Sequence, residues 1–124
     1  MRILPVVLLA LLLPACGSEP SALPGRPFAQ PGVSFTLTPS AARDCHPETV
    51  YRGRVDWSVE GRDRVRLEIR VGDRHGAVFA RSNQPRGSAW TEEWVRRGVW
   101  LVLIDRDRDE VLATLRAGPE TCDE

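Results

Sequence analysis

Two short polar clusters hold most of the side chains that could do chemistry. Asp44, Cys45, His46 and Glu48 lie within five residues, and a cysteine near a histidine can form the thiolate–imidazole pair of a nucleophilic enzyme. The second cluster, residues 105–110, reads DRDRDE. D-x-D-x-D spacing can place three carboxylates on one side of a loop, and Ca²⁺ binds such oxygens. These clusters are the candidates for catalysis and for metal binding.

Neither cluster forms a complete site in the sequence. The chain has only two histidines, His46 and His75, and contains no G-x-S-x-G, H-E-x-x-H or phosphate-binding glycine loop. In the second cluster, Glu110 stands where an EF-hand loop has glycine, and Arg106 and Arg108 neutralise the carboxylates. We therefore expect a solvated hairpin turn at residues 105–109, no bound metal or cofactor, and no enzymatic activity.

The N-terminus carries a short apolar segment, residues 3–13, that ends in Leu13-Pro14-Ala15-Cys16. It is too short to span a bilayer as a helix, which needs roughly 20 residues. Leu13, Ala15 and Cys16 resemble the lipobox of bacterial lipoproteins, whereas Pro14 departs from it. The resemblance implies that residues 1–15 are a signal peptide and that Cys16 carries diacylglycerol and a further fatty chain such as palmitate. Ordinary secretion with a free Cys16 is the alternative.

The residue after the lipobox cysteine bears on localisation. Enterobacterial lipoproteins that stay in the inner membrane usually carry Asp there, and this chain has Gly17. The resemblance therefore implies an envelope protein anchored in the membrane through Cys16, with the outer membrane favoured over the inner membrane.

Attachment of diacylglycerol to the Cys16 thiol would leave Cys45 and Cys122 as an even pair in an oxidising compartment. We expect them to form a disulfide, which would also remove the thiol from the first polar cluster. A bridge across about 77 residues is worth about 4.5 kcal/mol in the chain-entropy model. Two isolated cysteines lack the paired spacing of a zinc site.

Composition bounds the remaining possibilities. Removing residues 1–15 from 124 leaves 109 residues, enough for one small domain. The 17 basic residues become 16 without Arg2, against 17 acidic ones, for a formal charge of −1. Near-neutrality argues against nucleic-acid binding, which requires a clustered basic surface.

Residues 16–32 contain four prolines and three glycines, and we interpret them as the lipidated cysteine and an extended linker. Phe28 either docks on the domain or remains in the linker. The folded domain is predicted at residues 33–124. Its dominant pattern is period two, as in 54–59, where Val55, Trp57 and Val59 share one face.

Seven segments have this strand pattern, at residues 34–38, 54–59, 65–71, 77–80, 88–94, 99–104 and 110–116. Turn residues separate them, and no segment has a convincing helical period. The sequence therefore predicts an all-β protein, a single β-sandwich of six or seven strands.

The order of these features resembles bacterial immunoglobulin-like and fibronectin type III-like modules. The resemblance covers about residues 33–117 and rests on Cys45, Val55-Asp56-Trp57, Arg70-Val71-Gly72, Val78-Phe79-Ala80, the T-x-x-W-V-x-x-G segment at 91–98 and the aromatic–aliphatic segment at 99–105. It implies adhesion, spacing or ligand display, and it supplies no active-site residues.

Tryptophan and arginine provide the candidate binding face. Strand alternation directs Trp100 outward, together with Arg66 and Arg70 of the neighbouring strand, and Trp90 is a further candidate. In one interpretation arginine side chains cover Trp100. In the other, these residues bind a partner, because Trp and Arg dominate binding hot spots.

The leading hypothesis is a non-enzymatic envelope lipoprotein whose β-sandwich mediates protein–protein contact or spacing. A glycan- or cell-wall-binding module that uses an exposed tryptophan is the alternative. A small hydrolase or metal-dependent enzyme built around His46 is the third.

Overall fold

A computed structural model describes residues 25–122, which form eight strands. The strands are β1 (Phe28–Ala29), β2 (Val33–Thr38), β3 (Arg54–Val59), β4 (Leu67–Val71), β5 (Ala77–Ser82), β6 (Arg86–Trp90), β7 (Trp100–Asp105) and β8 (Glu110–Arg116). The signal peptide, Cys16 and the linker as far as Pro24 lie outside the described residues. Nowhere in residues 25–122 is there a helix with the length and apolar character needed to cross a membrane.

The strands form two antiparallel sheets. One has five strands in the order β1-β8-β7-β4-β5, and the other has three in the order β2-β3-β6. The chain changes sheet between β1 and β2, β3 and β4, β5 and β6, and β6 and β7. The predicted all-β immunoglobulin-like sandwich is confirmed, but it has eight strands instead of six or seven.

The additional strand is β1. Phe28 pairs with Thr114 of β8, and its N–H donates to the Thr114 hydroxyl at 3.2 Å. The predicted linker 16–32 therefore extends too far, and of the two alternatives for Phe28 the docked one is right. Alternation could not reveal a two-residue strand between Pro27 and Pro31, and these prolines are tolerated because β1 lies at the edge of its sheet.

The hydrophobic core lies between the sheets and follows the period-two pattern. Val55, Trp57 and Val59 of β3 are all buried, as predicted. They pack with inward residues of the other sheet, chiefly Leu67, Ile69, Leu101, Leu103 and Leu112. Burial of each aliphatic side chain contributes roughly 1.5–3 kcal/mol to the free energy of folding. A shift of one residue in strand pairing would expose the inward side chains, so their burial fixes the register of the strands.

The segment after β6 is a crossover and not the strand extension to residue 94 that alternation predicts. Thr91 is completely buried, and its hydroxyl accepts a hydrogen bond from the Gly53 N–H at 2.9 Å. Four residues later Val95, also completely buried, pairs with Tyr51 in an isolated bridge. These contacts hold the chain as it passes from the three-stranded to the five-stranded sheet.

The Cys45–Cys122 disulfide is present, as predicted from the cysteine count. Its Cα atoms are 6.0 Å apart, within the usual range for a disulfide. It joins the connection between β2 and β3 to the chain after β8, where Ala41 and Gly118 already form a bridge.

Candidate functional site

The tryptophans predicted to form a binding face lie on opposite sides of the sandwich. Trp90 pairs with Arg54, whose neighbour Val55 is buried in the core, so Trp90 lies on the outer face of the three-stranded sheet. Trp100 pairs with Arg116 on the outer face of the five-stranded sheet. The structure therefore does not bring the two tryptophans together.

Each tryptophan has an arginine near its ring. Trp90 is 54% exposed, with the Arg52 guanidinium carbon 5.1 Å from a ring centroid. Trp100 is half-buried, and the guanidinium carbon of Arg116 lies 5.9 Å from its ring centroid. An arginine does cover Trp100, but it belongs to β8 and not to the predicted pair on and before β4.

The predicted arginines, Arg66 and Arg70, make ion pairs instead. Arg66 precedes β4 and contacts the Asp107 carboxylate at 3.3 Å in an exposed position. Arg70 lies within β4, and its guanidinium contacts the Glu68 carboxylate at 2.7 Å. Both arginines lie on the outer face of the five-stranded sheet with Trp100, but their guanidinium groups pair with carboxylates and do not stack on the Trp100 ring.

The burial of Glu68 on this face was not predicted from the sequence. The alternation of β4 places it outward, as expected, yet only 1% of the residue is exposed. Its carboxylate contacts three guanidinium groups, those of Arg70 at 2.7 Å, Arg81 at 3.0 Å and Arg106 at 3.1 Å. The i, i+2 spacing of Glu68 and Arg70 indicates their pairing in the sequence, but the other two arginines come from β5 and from the turn after β7.

The charge environment of Glu68 keeps it ionised. Burial by itself raises the pKa of the carboxyl group, because the charged form loses hydration. Hydrogen bonding and charge from Arg70, followed by Arg81 and Arg106, outweigh that penalty and hold the Glu68 pKa below its usual range. The cluster is therefore an anion surrounded by cations at neutral pH.

The turn between β4 and β5 folds back over this outer face. Arg74 reaches the Asp109 carboxylate at 3.1 Å, although Asp109 lies at the other end of the sheet. Arg70 donates to the Gly76 carbonyl at 3.2 Å. Beneath the turn lies a cavity of about 150 Å³, here called the arginine cavity, which is lined by Glu68, Arg70, Arg74, His75, Ile104, Arg106 and Asp109.

Two outward residues of β7 are not exposed, and one of them, Ile104, lines the arginine cavity. Val102 and Ile104 point to the outer face, as predicted, but are 1% and 4% exposed. Gly76 permits the tight course of the turn, because a Cβ there would lie 1.8 Å from the Val71 carbonyl oxygen. The outer face of the sheet is consequently a second, polar-rimmed packing layer.

An open apolar groove of about 700 Å³ includes the residues on each side of the turn, Val71 and Ala77, in its lining. It is lined mainly by apolar side chains from β4, β5 and the crossover: Val71, Ala77, Val78, Phe79, Trp94 and Val99. Val78 is 38% exposed, and Phe79 packs edge-on against Trp94 with ring centroids 5.5 Å apart. Val50, Glu93 and Arg96 complete its lining. We call it the β5 groove.

The β5 groove lies along an edge of the five-stranded sheet. Within residues 25–122, β5 is the last strand in the order and pairs only with β4, whereas β1 lies at the opposite edge of the sheet. A register shift at Ile69/Arg70 leaves Phe79 as an extra residue in β5. The apolar run 77–80 was the available signal in the sequence, because it does not alternate as an edge strand with one solvated face would.

The carboxylates of residues 105–110 do not converge. Asp105 is buried and pairs with Arg62 at 2.5 Å, while Asp107 and Asp109 pair with other arginines on separate sides. Glu110 also contacts Arg62, at 3.2 Å. Among the described residues no group of three or more His, Cys, Asp or Glu side chains is arranged to hold a metal ion.

The cluster around His46 is an exposed turn. The Asp44 carboxylate accepts from the His46 N–H at 3.0 Å, and the His46 imidazole accepts from the Glu48 N–H at 3.3 Å. A side-chain hydrogen bond from Thr49, and then the His46 N–H, lower the pKa of Asp44. Because the Cys45 sulfur is in the disulfide, it offers no thiolate to the neighbouring imidazole.

The chain was also compared with known proteins. A scan against protein-family models finds no match, and searches of curated proteins and of solved structures find none either.

Proposed function

We propose that this chain is a non-enzymatic, lipid-anchored envelope protein that binds an extended segment of a protein partner along β5. The observation that carries the proposal is the unpaired edge of β5 beside the apolar β5 groove. Main-chain hydrogen bonds to an edge strand supply affinity, and pockets for alternate side chains supply specificity.

The chemistry of the edge favours one stretch of β5. Edge strands are commonly protected by charges and bulges, and β5 has both, in Arg81 and in the extra residue Phe79. Ala77 and Val78 precede these features, carry no charge and line the groove. The proposed partner therefore pairs with the start of β5 and places apolar side chains against Phe79 and Trp94.

The position of the proposed anchor is compatible with access to this edge. Cys16 precedes Phe28 by twelve residues, so at most about 43 Å separates their Cα atoms. Four strand spacings, about 19 Å, separate β1 from β5. The chain enters at one edge of the sheet, and the proposed binding edge is the other. Diacylglycerol and an amide-linked chain on Cys16 would give stable anchoring.

Site-specific photocrosslinking in intact cells tests the binding edge. A photoreactive residue at Val78 should crosslink a defined protein, and one at Thr36, an exposed position on β2, should not. Adding Val78→Asp to a β5 crosslinker at Ala77 should abolish the product, while Thr36→Asp and Trp100→Ala should leave it intact. Equal crosslinking from Val78 and Thr36, or a product insensitive to Val78→Asp, would contradict the proposal.

Mass spectrometry of the mature N-terminus tests the anchor. We expect a chain that begins at Cys16 and carries the added mass of the lipid, and we expect Cys16→Ser to release the protein from membranes. Cleavage at another position, or an unmodified Cys16, would contradict the anchoring.

The non-enzymatic assignment predicts that a His46→Ala, Glu48→Ala double variant has the wild-type phenotype.

The exposure of Trp90 favours a second candidate, a glycan- or cell-wall-binding module. Its ring is 54% exposed on the outer face of the three-stranded sheet and lies beside Arg52. Sugar rings stack on such aromatic faces. Sedimentation with purified cell wall should then depend on Trp90 and not on Trp100, and a glycan-binding role is excluded if Trp90→Ala sediments like the unmodified protein.

A further inference from the structure

We propose that the arginine cavity binds a small oxyanion, of the phosphate or carboxylate class. This site is separate from the β5 groove and does not depend on the proposed function. It lies beneath the fold-back turn and is lined by Arg70, Arg74 and Arg106, with Ile104 also among its lining residues.

The charges around the cavity do not balance. The single carboxylate of Glu68 contacts three guanidinium groups, those of Arg70, Arg81 and Arg106. Arg74 adds a fourth positive charge, which Asp109 offsets. Arg81 does not line the cavity. Among the lining side chains, Arg70, Arg74 and Arg106 outnumber the carboxylates of Glu68 and Asp109 by one positive charge, which a bound anion would compensate.

Hydrogen-bond donors also remain available at the cavity. Arg106 uses its Nε to contact Glu68 at 3.1 Å, and among residues 25–122 its two terminal nitrogens have no hydrogen-bond partner. Within the part of the chain that the structure describes, Arg74 donates hydrogen bonds only from Nη2, toward Asp109. Guanidinium groups present paired donors that match the geometry of oxyanions. Glu68 orients Arg106 and so leaves its terminal nitrogens for a ligand.

The dimensions select the class of ligand. A volume of about 150 Å³ corresponds to roughly five water molecules at about 30 Å³ each. One tetrahedral oxyanion or a carboxylate group fits this space, which is too small to enclose a nucleotide or a peptide. The buried Ile104 side chain contributes apolar surface to the cavity lining. Attraction between arginines and an anion is stronger beside such a low-dielectric surface than in bulk water.

Titration of the purified full-length protein with inorganic phosphate, at constant ionic strength against chloride, tests the proposal. Calorimetry or chemical-shift changes should show saturable binding. Arg106→Gln should weaken it at least tenfold, and so should Arg74→Gln, which provides a second test if the first variant is unstable. Arg66→Gln removes a nearby exposed arginine outside the cavity and should change affinity less than twofold.

Three outcomes would overturn the assignment. They are the absence of saturable phosphate or acetate binding, unchanged affinity in both cavity variants, and an equal loss in Arg66→Gln, which would indicate general surface charge. Acetate separates the two ligand classes: effective competition with phosphate identifies a carboxylate site, and failure to compete identifies a tetrahedral-oxyanion site.

Discussion

Glu68 and Arg81 are register partners on β4 and β5, and the Arg81 Nε donates to the Glu68 carboxylate at 3.0 Å. The carboxylate is buried although it lies on the outer face of a sheet, whereas the arginine side chain is 64% exposed. Arg70 and Arg106 contact the same carboxylate. One glutamate thus links three arginines, which come from β4, from β5 and from the turn after β7.

Replacing Glu68 by glutamine should destabilise the fold. The change keeps the size of the side chain but removes the only anion from among three cations, of which the least exposed is Arg70. Solvent screens the exposed arginines, so we expect a loss of about 2 kcal/mol in unfolding free energy. Urea denaturation measures it. Glu93→Gln, at an exposed site, is the control, and a loss below about 0.5 kcal/mol in Glu68→Gln would contradict the buried-anion account.

The same carboxylate predicts an acid-sensitive contribution to stability. The pKa of Glu68 is lower in the folded chain than in the unfolded chain, where glutamate has a pKa of about 4.3. A lowered pKa stabilises the fold fully above that value, and the contribution is lost as pH falls through the folded pKa. The difference in Tm between the unmodified protein and Glu68→Gln should therefore narrow below about pH 4.3. A difference that stays constant from pH 7 to the acid limit would disprove this linkage.

Substituting Gly76 by alanine should open the fold-back turn. The new Cβ would lie 1.8 Å from the Val71 carbonyl oxygen, so the backbone must move. We expect a loss of about 2–3 kcal/mol and faster hydrogen exchange at Ile104, whose side chain lies beneath the turn. Gly25→Ala, which meets no atom within 4 Å, is the matched control. Equal stability and exchange in the two variants would show that the turn tolerates a side chain.

Reduction of the Cys45–Cys122 disulfide should lower stability by about 2–4.5 kcal/mol, because the bridge joins residues 77 positions apart. Urea midpoints with and without reductant measure the effect. A Cys45→Ala, Cys122→Ala double variant should be less stable and insensitive to reductant. Coincident midpoints for the reduced and oxidised protein would mean that other contacts alone hold the β2–β3 connection.

Alternation predicted the strands best where one face of a strand is buried and the other is solvated. The observed limits of Arg54–Val59 and Glu110–Arg116 match the prediction, because their inward residues must meet the core. It failed where local pattern does not determine pairing: β1 is too short to have a period, and the crossover after Trp90 retains aromatic and apolar residues without being a strand.

The candidate site was less accessible to sequence reasoning. Trp100, Arg66 and Arg70 do lie on or beside one sheet face, but Trp90 lies on the other sheet. The β5 groove combines residues from β4, β5 and the crossover. No local spacing specifies which of these segments meet, because their proximity follows from the order of strands in the sheets.

The sequence by itself determined the all-β class, the inward faces of the main strands and the cysteine pairing. The first two follow from the period of neighbouring residues along the chain, and the third follows from the number of cysteines. Only the tertiary structure decided that Glu68 is buried among three arginines, that β5 ends its sheet and that the turn at Gly76 covers Ile104. The physical reason is that burial and charge compensation depend on neighbours brought together by strand order. In the sequence, Glu68 alternates with inward residues of β4 as a solvated outward residue would. Its burial depends on the three arginines that the fold brings around it.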